Sequence, residues 1–108
     1  MSQAPSRSRW GCEQPQSIVW DTVKAALNLG KHGVDFEEAA TVFRDPLLLV
    51  QPDVEHSEEE KRWLALGQSD RQLLLVVVHT EDDQVIRLIS ARKADSHEHH
   101  QYEEARSG

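Results

Sequence analysis

The sequence predicts an α+β fold in which two N-terminal helices and a C-terminal helix pack on a four-stranded, mainly antiparallel sheet. Apolar residues recur at helical spacing between residues 22 and 43. Four short apolar runs follow Pro46 and are separated by charged or turn-forming residues, as in an antiparallel meander. Residues 94–105 are polar and are compatible with a third helix. With 108 residues, 38% of them hydrophobic, the chain has enough apolar material for one domain.

Residues 1–16 combine Ser, Gln, Pro and Arg with little to bury beyond Trp10, which predicts a flexible leader before a single domain at 17–105. The leader lacks the apolar stretch of a signal peptide. The longest apolar run, LLLVVV at 73–78, is far shorter than the ~20 residues of a membrane span. We therefore expect a cytoplasmic protein. Its one cysteine, Cys12, is expected to be an incidental thiol.

The first helix is predicted to begin at Thr22 and to end at Gly33, a residue typical of helix C-termini. Before it, SIVWD at 17–21 is either a short strand or an entry segment. The helix has one apolar face and a polar stripe opposite it. The apolar face comprises Val23, Ala26, Leu27 and Gly30, and the stripe comprises Lys24, Asn28 and Lys31. At the helix end, His32 is either a C-terminal cap or a proton carrier.

A second helix is predicted to follow directly, with Asp35 as its N-cap and Glu38 at the capping-box position. It ends at Asp45, because the residue before a proline is disfavoured in helical conformation. Its predicted buried face comprises Phe36, Ala39, Ala40 and Phe43. Two short helices joined by a tight corner place His32 at the elbow, where we expect it to be partly exposed.

The four predicted strands cover residues 47–51, 62–69, 72–80 and 85–92. Residues 81–84 form the clearest hairpin turn. The unbroken apolar run before that turn predicts a central strand, covered by the helices on one face and partly by the terminal segment on the other. His79 ends this run and is expected to pack on the sheet rather than to bind a ligand.

Nineteen acidic and twelve basic side chains give a formal net charge of -7, which excludes a broad positive surface that coats nucleic acid. Arg87, however, interrupts the strand VIRLIS, where it needs an anion: a carboxylate of the protein or an external phosphate. By strict alternation Arg87 and Arg92 point to opposite faces of the sheet. They share a face only if the strand twists or bulges near Ser90, or if Arg92 already belongs to the exit turn.

The segment HEHH at 97–100 contains ligand residue types, but only His97 and His100 have a spacing that puts two histidines on one helix face. Neither a cysteine pattern nor a second histidine pair accompanies them, so we expect no metal site. The sequence contains no P-loop, GxGxxG, nucleophile-elbow or HExxH motif. We therefore expect no cofactor.

Three segments follow one another with few gaps: WDTVKAALNLGKHGVDFEEAATVFRDPL, HSEEEKRWLALGQSDRQLLLVVVHTE and IRLISARKA. Together they closely resemble the BrnT family, the toxin half of type II toxin-antitoxin pairs, over roughly residues 19–102. The resemblance implies a small RelE-like ribonuclease that cleaves RNA without metal and inhibits translation. It also implies neutralisation by a BrnA-type antitoxin, through which alone the complex contacts DNA. No membrane partner is implied.

RNA cleavage of this type resembles in-line attack of a 2′-hydroxyl on its own phosphate, which needs proton transfer and cations that stabilise the charge on the phosphoryl oxygens. The resemblance assigns these roles to residues that match the family's motifs. They are His32 with Lys31 beside it for proton transfer, Arg62, Arg87 and Arg92 for the phosphate, and Tyr102 for orienting the substrate.

The chain departs from the family pattern at three places. Thr22 stands where an acidic residue is common, Gly30 stands where a basic one is common, and DSHEHHQYEE replaces an arginine-rich segment. Fewer cations mean weaker binding to RNA, because less counterion is released. The alternative function is therefore a catalytically weak or inactive BrnT-like subunit that binds the antitoxin as a co-repressor module.

Overall fold

A computed structural model describes residues 17–54 and 61–107. The predicted leader at 1–16, with Trp10 and Cys12, lies outside the described residues, so the predicted division into leader and domain stays a prediction. In chain order the elements are β1 (Ser17–Val19), α1 (Thr22–His32), α2 (Phe36–Ala40), a 3-10 helix (Thr41–Arg44), β2 (Leu49–Pro52), β3 (Trp63–Gln68), β4 (Leu74–Asp82), β5 (Val85–Lys93) and α3 (Ser96–Ser107). In these ranges, no helix is long and apolar enough to cross a membrane.

Within the described residues the sheet has five strands in the order β1-β5-β4-β3-β2, so the prediction of four strands was wrong. The additional strand is β1, which pairs parallel to β5 through Ser17–Val19 and Val85–Arg87. A three-residue strand is too short to show alternation, and this is why the sequence left it ambiguous. The other neighbours are antiparallel, and the sheet is therefore mixed.

Each face of the sheet carries its own apolar core. On one face, α1, α2 and the 3-10 helix pack on the inward residues of the strands, with Phe36, Phe43 and Leu88 fully buried. On the other face, α3 packs through Tyr102 on a smaller cluster that includes Leu66 and Val76. We call these the helix-pair face and the α3 face. The prediction that both faces of the central strand are covered is confirmed.

Helix α1 is rotated relative to its predicted orientation. Val23 and Leu27, two members of its apolar face, are 66% and 68% exposed, whereas Asn28 from the polar stripe is buried. The Asn28 side chain donates to the carbonyls of Val34 and Ala91, 3.1 and 2.9 Å away, and accepts from the Ala91 N–H at 3.0 Å. Backbone groups on β5 therefore decide which side of α1 faces inward, because an unpaired buried polar group is costly.

Helix α2 begins as predicted, since the Asp35 carboxylate accepts from the Glu37 N–H at 2.8 Å. Glu38 does not complete a capping box. Its carboxylate is buried and accepts from the Ser69 hydroxyl at 2.7 Å instead, which ties α2 to the turn after β3. The helical segment ends before Asp45 and Pro46, in agreement with the sequence.

Candidate active site

A β-bulge in β5 places Arg87 and Arg92 on the same face of the sheet. Val78 of β4 pairs with Ser90 and the next residue, His79, pairs with Leu88, so Ile89 is an extra residue on β5. An extra residue reverses the alternation of every side chain beyond it. Leu88 and Ala91 accordingly both lie in the core of the helix-pair face, and the two arginines lie on the α3 face.

The strand register aligns a second arginine with Arg87. Thr80 pairs with Arg87, and Trp63 pairs with His79, which places Arg62 opposite Thr80. The Asp53 N–H donates to the Arg62 carbonyl at 2.9 Å and extends the β2–β3 ladder by one residue, which fixes this position. Two strand spacings separate the backbones of Arg62 and Arg87, a distance of about 10 Å. Both arginines therefore lie at the same end of the α3 face.

Arg92 lies farther along that face. Arg92 pairs with Val76 of β4, whereas Arg87 pairs with Thr80, four residues later on the same strand. Four residues along a strand span about 13 Å. The Arg92 guanidinium forms a bidentate ion pair with Glu98 of α3, at 2.9 Å from Nη1 to Oε1 and 2.8 Å from Nη2 to Oε2. The hydrogen bonds to Glu98 raise the pKa of Arg92 above its usual value. Arg92 thus already holds an anion of the protein.

Glu98 is itself fixed by a capping box. The Asp95 N–H donates to Glu98 Oε1 and the Glu98 N–H donates to Asp95 Oδ1, both at 2.9 Å. The second of these bonds is the main reason that the pKa of Asp95 is lowered. The start of α3 and the carboxylate on Arg92 are therefore held together.

Arg87 differs from the other two arginines. Its side chain is exposed, and within residues 17–54 and 61–107 it forms no ion pair. Arg62, by comparison, is half-buried and has an interaction partner. An exposed guanidinium without a carboxylate partner keeps its five donors available to an external anion such as phosphate.

Tyr102 lies on the α3 face but its hydroxyl already has a partner. The side chain is buried, and the hydroxyl donates to Asp45 Oδ2 at 2.5 Å. Burial, reinforced by the hydrogen bond to Asp45, raises the pKa of Tyr102 well above its usual value. The tyrosine therefore stays protonated and ties α3 to the corner before β2.

His32 and Lys31 lie on the other side of the sheet. Both end α1, which packs on the helix-pair face, and half-buried His32 is one turn beyond Asn28. Strand β1 pairs with β5 only through Val85–Arg87, and farther along this outer edge the Asn28 amide of α1 hydrogen-bonds the N–H and the carbonyl of Ala91. A substrate that contacts both His32 and the arginines must therefore pass around this edge of the sheet, beside α1.

A model of the BrnT ribonuclease toxins of type II toxin-antitoxin systems matches residues 20–98, which is more than half of the chain. The chain belongs to the BrnT family. This confirms the resemblance seen in the sequence. The comparison with curated proteins found no match. Among solved structures, the Brucella abortus ribonuclease toxin BrnT is similar in fold, with a TM-score of 0.58 and 24% identity over 74% of this chain and 97% of that one.

Membership of the BrnT family implies an antitoxin partner, since these toxins belong to two-protein systems. The HEHH segment lies on the first turns of α3, where His97, His99 and His100 are exposed. His100 Nε2 is 3.4 Å from the Glu104 carboxylate. Among the described residues no three His, Cys, Asp or Glu side chains form a group that could hold a metal ion.

His79 packs on the helix-pair face of this BrnT-family chain. It is fully buried, contacts the Phe43 ring edge-on at a centroid distance of 5.0 Å, and has Nε2 3.1 Å from Glu81 Oε2. Its Nδ1 has no hydrogen-bond partner among the described residues. These contacts agree with the predicted packing role, because a fully buried ring cannot contact a substrate.

Sequence reasoning missed the role of Glu98. It appeared there only as a possible metal ligand within HEHH, whereas in the structure it neutralises Arg92. The spacing DSHE, with Asp95 and Glu98 three residues apart, was an available signal for the capping box. The sequence offered no comparable signal for the ion pair between Glu98 and Arg92, because that pair depends on the path of the chain from β5 into α3.

Proposed function

We propose that this chain is a ribonuclease toxin that cleaves RNA without a metal ion in the cytoplasm and is neutralised by a BrnA-type antitoxin. The observation that carries the proposal is the exposed Arg87 guanidinium, which shares one end of the α3 face with Arg62. Preorganised cations of this kind stabilise the negative charge that develops on the phosphoryl oxygens.

In the proposed reaction a ribose 2′-hydroxyl attacks the adjacent phosphorus, which forms the O2′–P bond and breaks the P–O5′ bond. The 2′-hydroxyl proton goes to a base, and the departing 5′-oxygen takes a proton from an acid. His32 is our candidate for proton transfer, with Lys31 beside it, on an RNA that passes around the β5 edge of the sheet. Tyr102 acts as a positioning residue, because its hydrogen bond to Asp45 supports the placement of α3.

The proposal is tested with the purified chain and a short RNA containing all four nucleotides. We expect cleavage that persists in excess EDTA and leaves 2′,3′-cyclic phosphate ends, detected by mass spectrometry. A DNA of the same sequence should stay intact, because it lacks the attacking hydroxyl. Loss of cleavage in EDTA, or cleavage of the DNA, would contradict the proposed chemistry.

The co-repressor module is the second candidate, and the Arg92–Glu98 ion pair favours it. A guanidinium held by a carboxylate in two hydrogen bonds is not open to phosphate, and the acidic α3 adds repulsion. Induced expression separates the two functions. A ribonuclease toxin stops growth unless the antitoxin is also expressed, whereas the module leaves growth unchanged.

The Glu98→Gln variant is expected to bind and cleave RNA about tenfold better than the unmodified chain. The substitution removes the carboxylate charge that neutralises the Arg92 guanidinium. Arg92 can then make about one additional contact to an RNA phosphate. Glutamine retains the capping-box hydrogen bonds, so α3 should keep its start. The measurements are fluorescence anisotropy with labelled RNA and the initial rate of cleavage.

The matched control is Glu103→Gln, which makes the same charge change on an exposed part of α3. Glu103 Oε2 lies 3.7 Å from Arg106 Nη1. This control should change binding less than twofold. Equal gains from both variants would mean that net charge, and not release of Arg92, controls binding.

A further inference from the structure

The outer side of α1 is an apolar surface that the described residues leave uncovered. It consists of Val23, Ala26, Leu27 and Gly30, all exposed, and we call it the α1 outer face. Leu29, 50% exposed, extends it on one flank. Residues at spacings of three and four form a continuous stripe along a helix. Monomeric proteins rarely leave contiguous apolar patches exposed, and those that exist often mark binding sites.

Packing of this chain does not explain the α1 outer face. Helix α1 packs on the core through Ala25 and hydrogen-bonds Ala91 of β5 through Asn28, both on its opposite side. A Cβ added at Gly30 would have no heavy atom within 4 Å, and the Gly30 backbone is helical. Neither conformation nor crowding therefore requires glycine there, although glycine weakens a helix by about 1 kcal/mol relative to alanine. Its absent side chain lets the backbone of another helix approach closely.

We propose that the α1 outer face is the docking site for an acidic amphipathic helix of the antitoxin. Lys24 and Lys31 are exposed, lie on the same flank of the face two turns apart, and form no ion pair within the described residues. These cations stand out on a chain with a net charge of -7. A partner helix with apolar residues facing Val23 and Leu27, and carboxylates along one edge, matches both features.

A second copy of the chain fits this face less well. A two-fold axis perpendicular to two α1 helices sets the Lys24 and Lys31 flank of one copy against the same flank of the other. Like charges in contact are unfavourable. A two-fold axis parallel to the helices sets the Lys24 and Lys31 flank of one copy against Leu29 of the other. This contact removes water from the two ammonium groups and gives them no carboxylate partner. Only a partner with carboxylates satisfies the lysine flank.

The docking site lies on the helix-pair side of the molecule, and Arg87 lies on the α3 face. The inference rests on the antitoxin partner of the proposed function and not on RNA cleavage. Substitutions on α1 can therefore separate antitoxin binding from cleavage.

The test measures binding of the BrnA-type antitoxin of the proposed function to purified variants by isothermal titration calorimetry. Val23→Glu and Leu27→Glu should each weaken binding at least thirtyfold, because each places a carboxylate in the apolar contact. The control is Val54→Glu, since Val54 is 79% exposed and lies away from α1, and it should bind within twofold of the unmodified chain. The double variant Lys24→Glu, Lys31→Glu should weaken binding about tenfold and reduce its salt dependence.

Unchanged antitoxin binding in Val23→Glu and Leu27→Glu would overturn the docking site. A dimer of the chain alone that dissociates on Leu27→Glu, seen by sedimentation velocity, would assign the face to a second copy and also overturn it. A chain that cuts no RNA but loses antitoxin binding in Leu27→Glu would support the docking site and reject the nuclease. Circular dichroism spectra of the variants should match the unmodified chain.

Discussion

The Arg87→Ala variant is expected to cleave RNA at least about a hundredfold more slowly than the unmodified chain and to lose its toxicity. Arg87 is the exposed arginine of the α3 face without an ion pair in the described chain, so its donors are available to stabilise the phosphorane-like transition state. Removing one preorganised donor from a transition-state oxyanion costs about 10²–10³ in rate. Single-turnover cleavage of a labelled RNA measures the effect.

The control is Arg106→Ala, which removes an exposed arginine from α3 that lies 3.7 Å from Glu103. Its cleavage rate should stay within about threefold of the unmodified chain. Arg87→Lys should fall between the two, because lysine keeps the charge but lacks the two-pronged geometry of guanidinium. If Arg87→Ala retains full cleavage and toxicity, Arg87 does not bind the scissile phosphate. An equal loss in Arg106→Ala would point to general electrostatic attraction instead.

The Asn28→Ala variant is expected to lower the free energy of unfolding by about 2–4 kcal/mol. The substitution removes three buried hydrogen bonds and leaves two carbonyls and the Ala91 N–H without partners. An unsatisfied buried group costs about 1–3 kcal/mol, and water that enters the gap recovers part of this. The loss corresponds to a fall in melting temperature of about 10 °C or more for a domain of this size.

Urea unfolding followed by circular dichroism measures the effect, with Lys24→Ala as the control on the exposed side of the same helix. That control should change the free energy of unfolding by less than about 0.5 kcal/mol. A loss below about 1 kcal/mol in Asn28→Ala would mean that the amide does not set the orientation of α1. In that case the exposure of Val23 and Leu27 would need another cause.

Much of the local structure was correctly predicted because its signals lie within a few residues of each other. Strands β2 to β5 follow from apolar runs bounded by charged residues, the start of α1 from helical apolar spacing, and the start of α2 from its capping aspartate Asp35. Strand β1 was ambiguous because its identity depends on pairing with Val85–Arg87, far along the chain. The α1 outer face was identified as apolar, but the sequence did not show that it points to solvent.

The candidate site was predicted less completely, since its geometry depends on contacts between distant segments. The residue types were chosen from family motifs, but the bulge at Ile89 that places Arg87 and Arg92 on one face is a property of the β4–β5 register. In the same structure α1, which ends at His32, packs on the helix-pair face, whereas these arginines lie on the α3 face. The site roles of His32, Lys31 and the arginines stay predictions.

The sequence by itself determined the family, the helix starts and most of the strands, since caps, turns and alternation act between near neighbours. Only the tertiary structure decided which way α1 faces and that Arg92, unlike Arg87, is paired with a carboxylate within the described residues. Asn28 is 63 positions from Ala91, and Glu98 meets Arg92 only because α3 folds back over the sheet. Hydrogen bonds between such segments need both partners in place, so no local pattern specifies them.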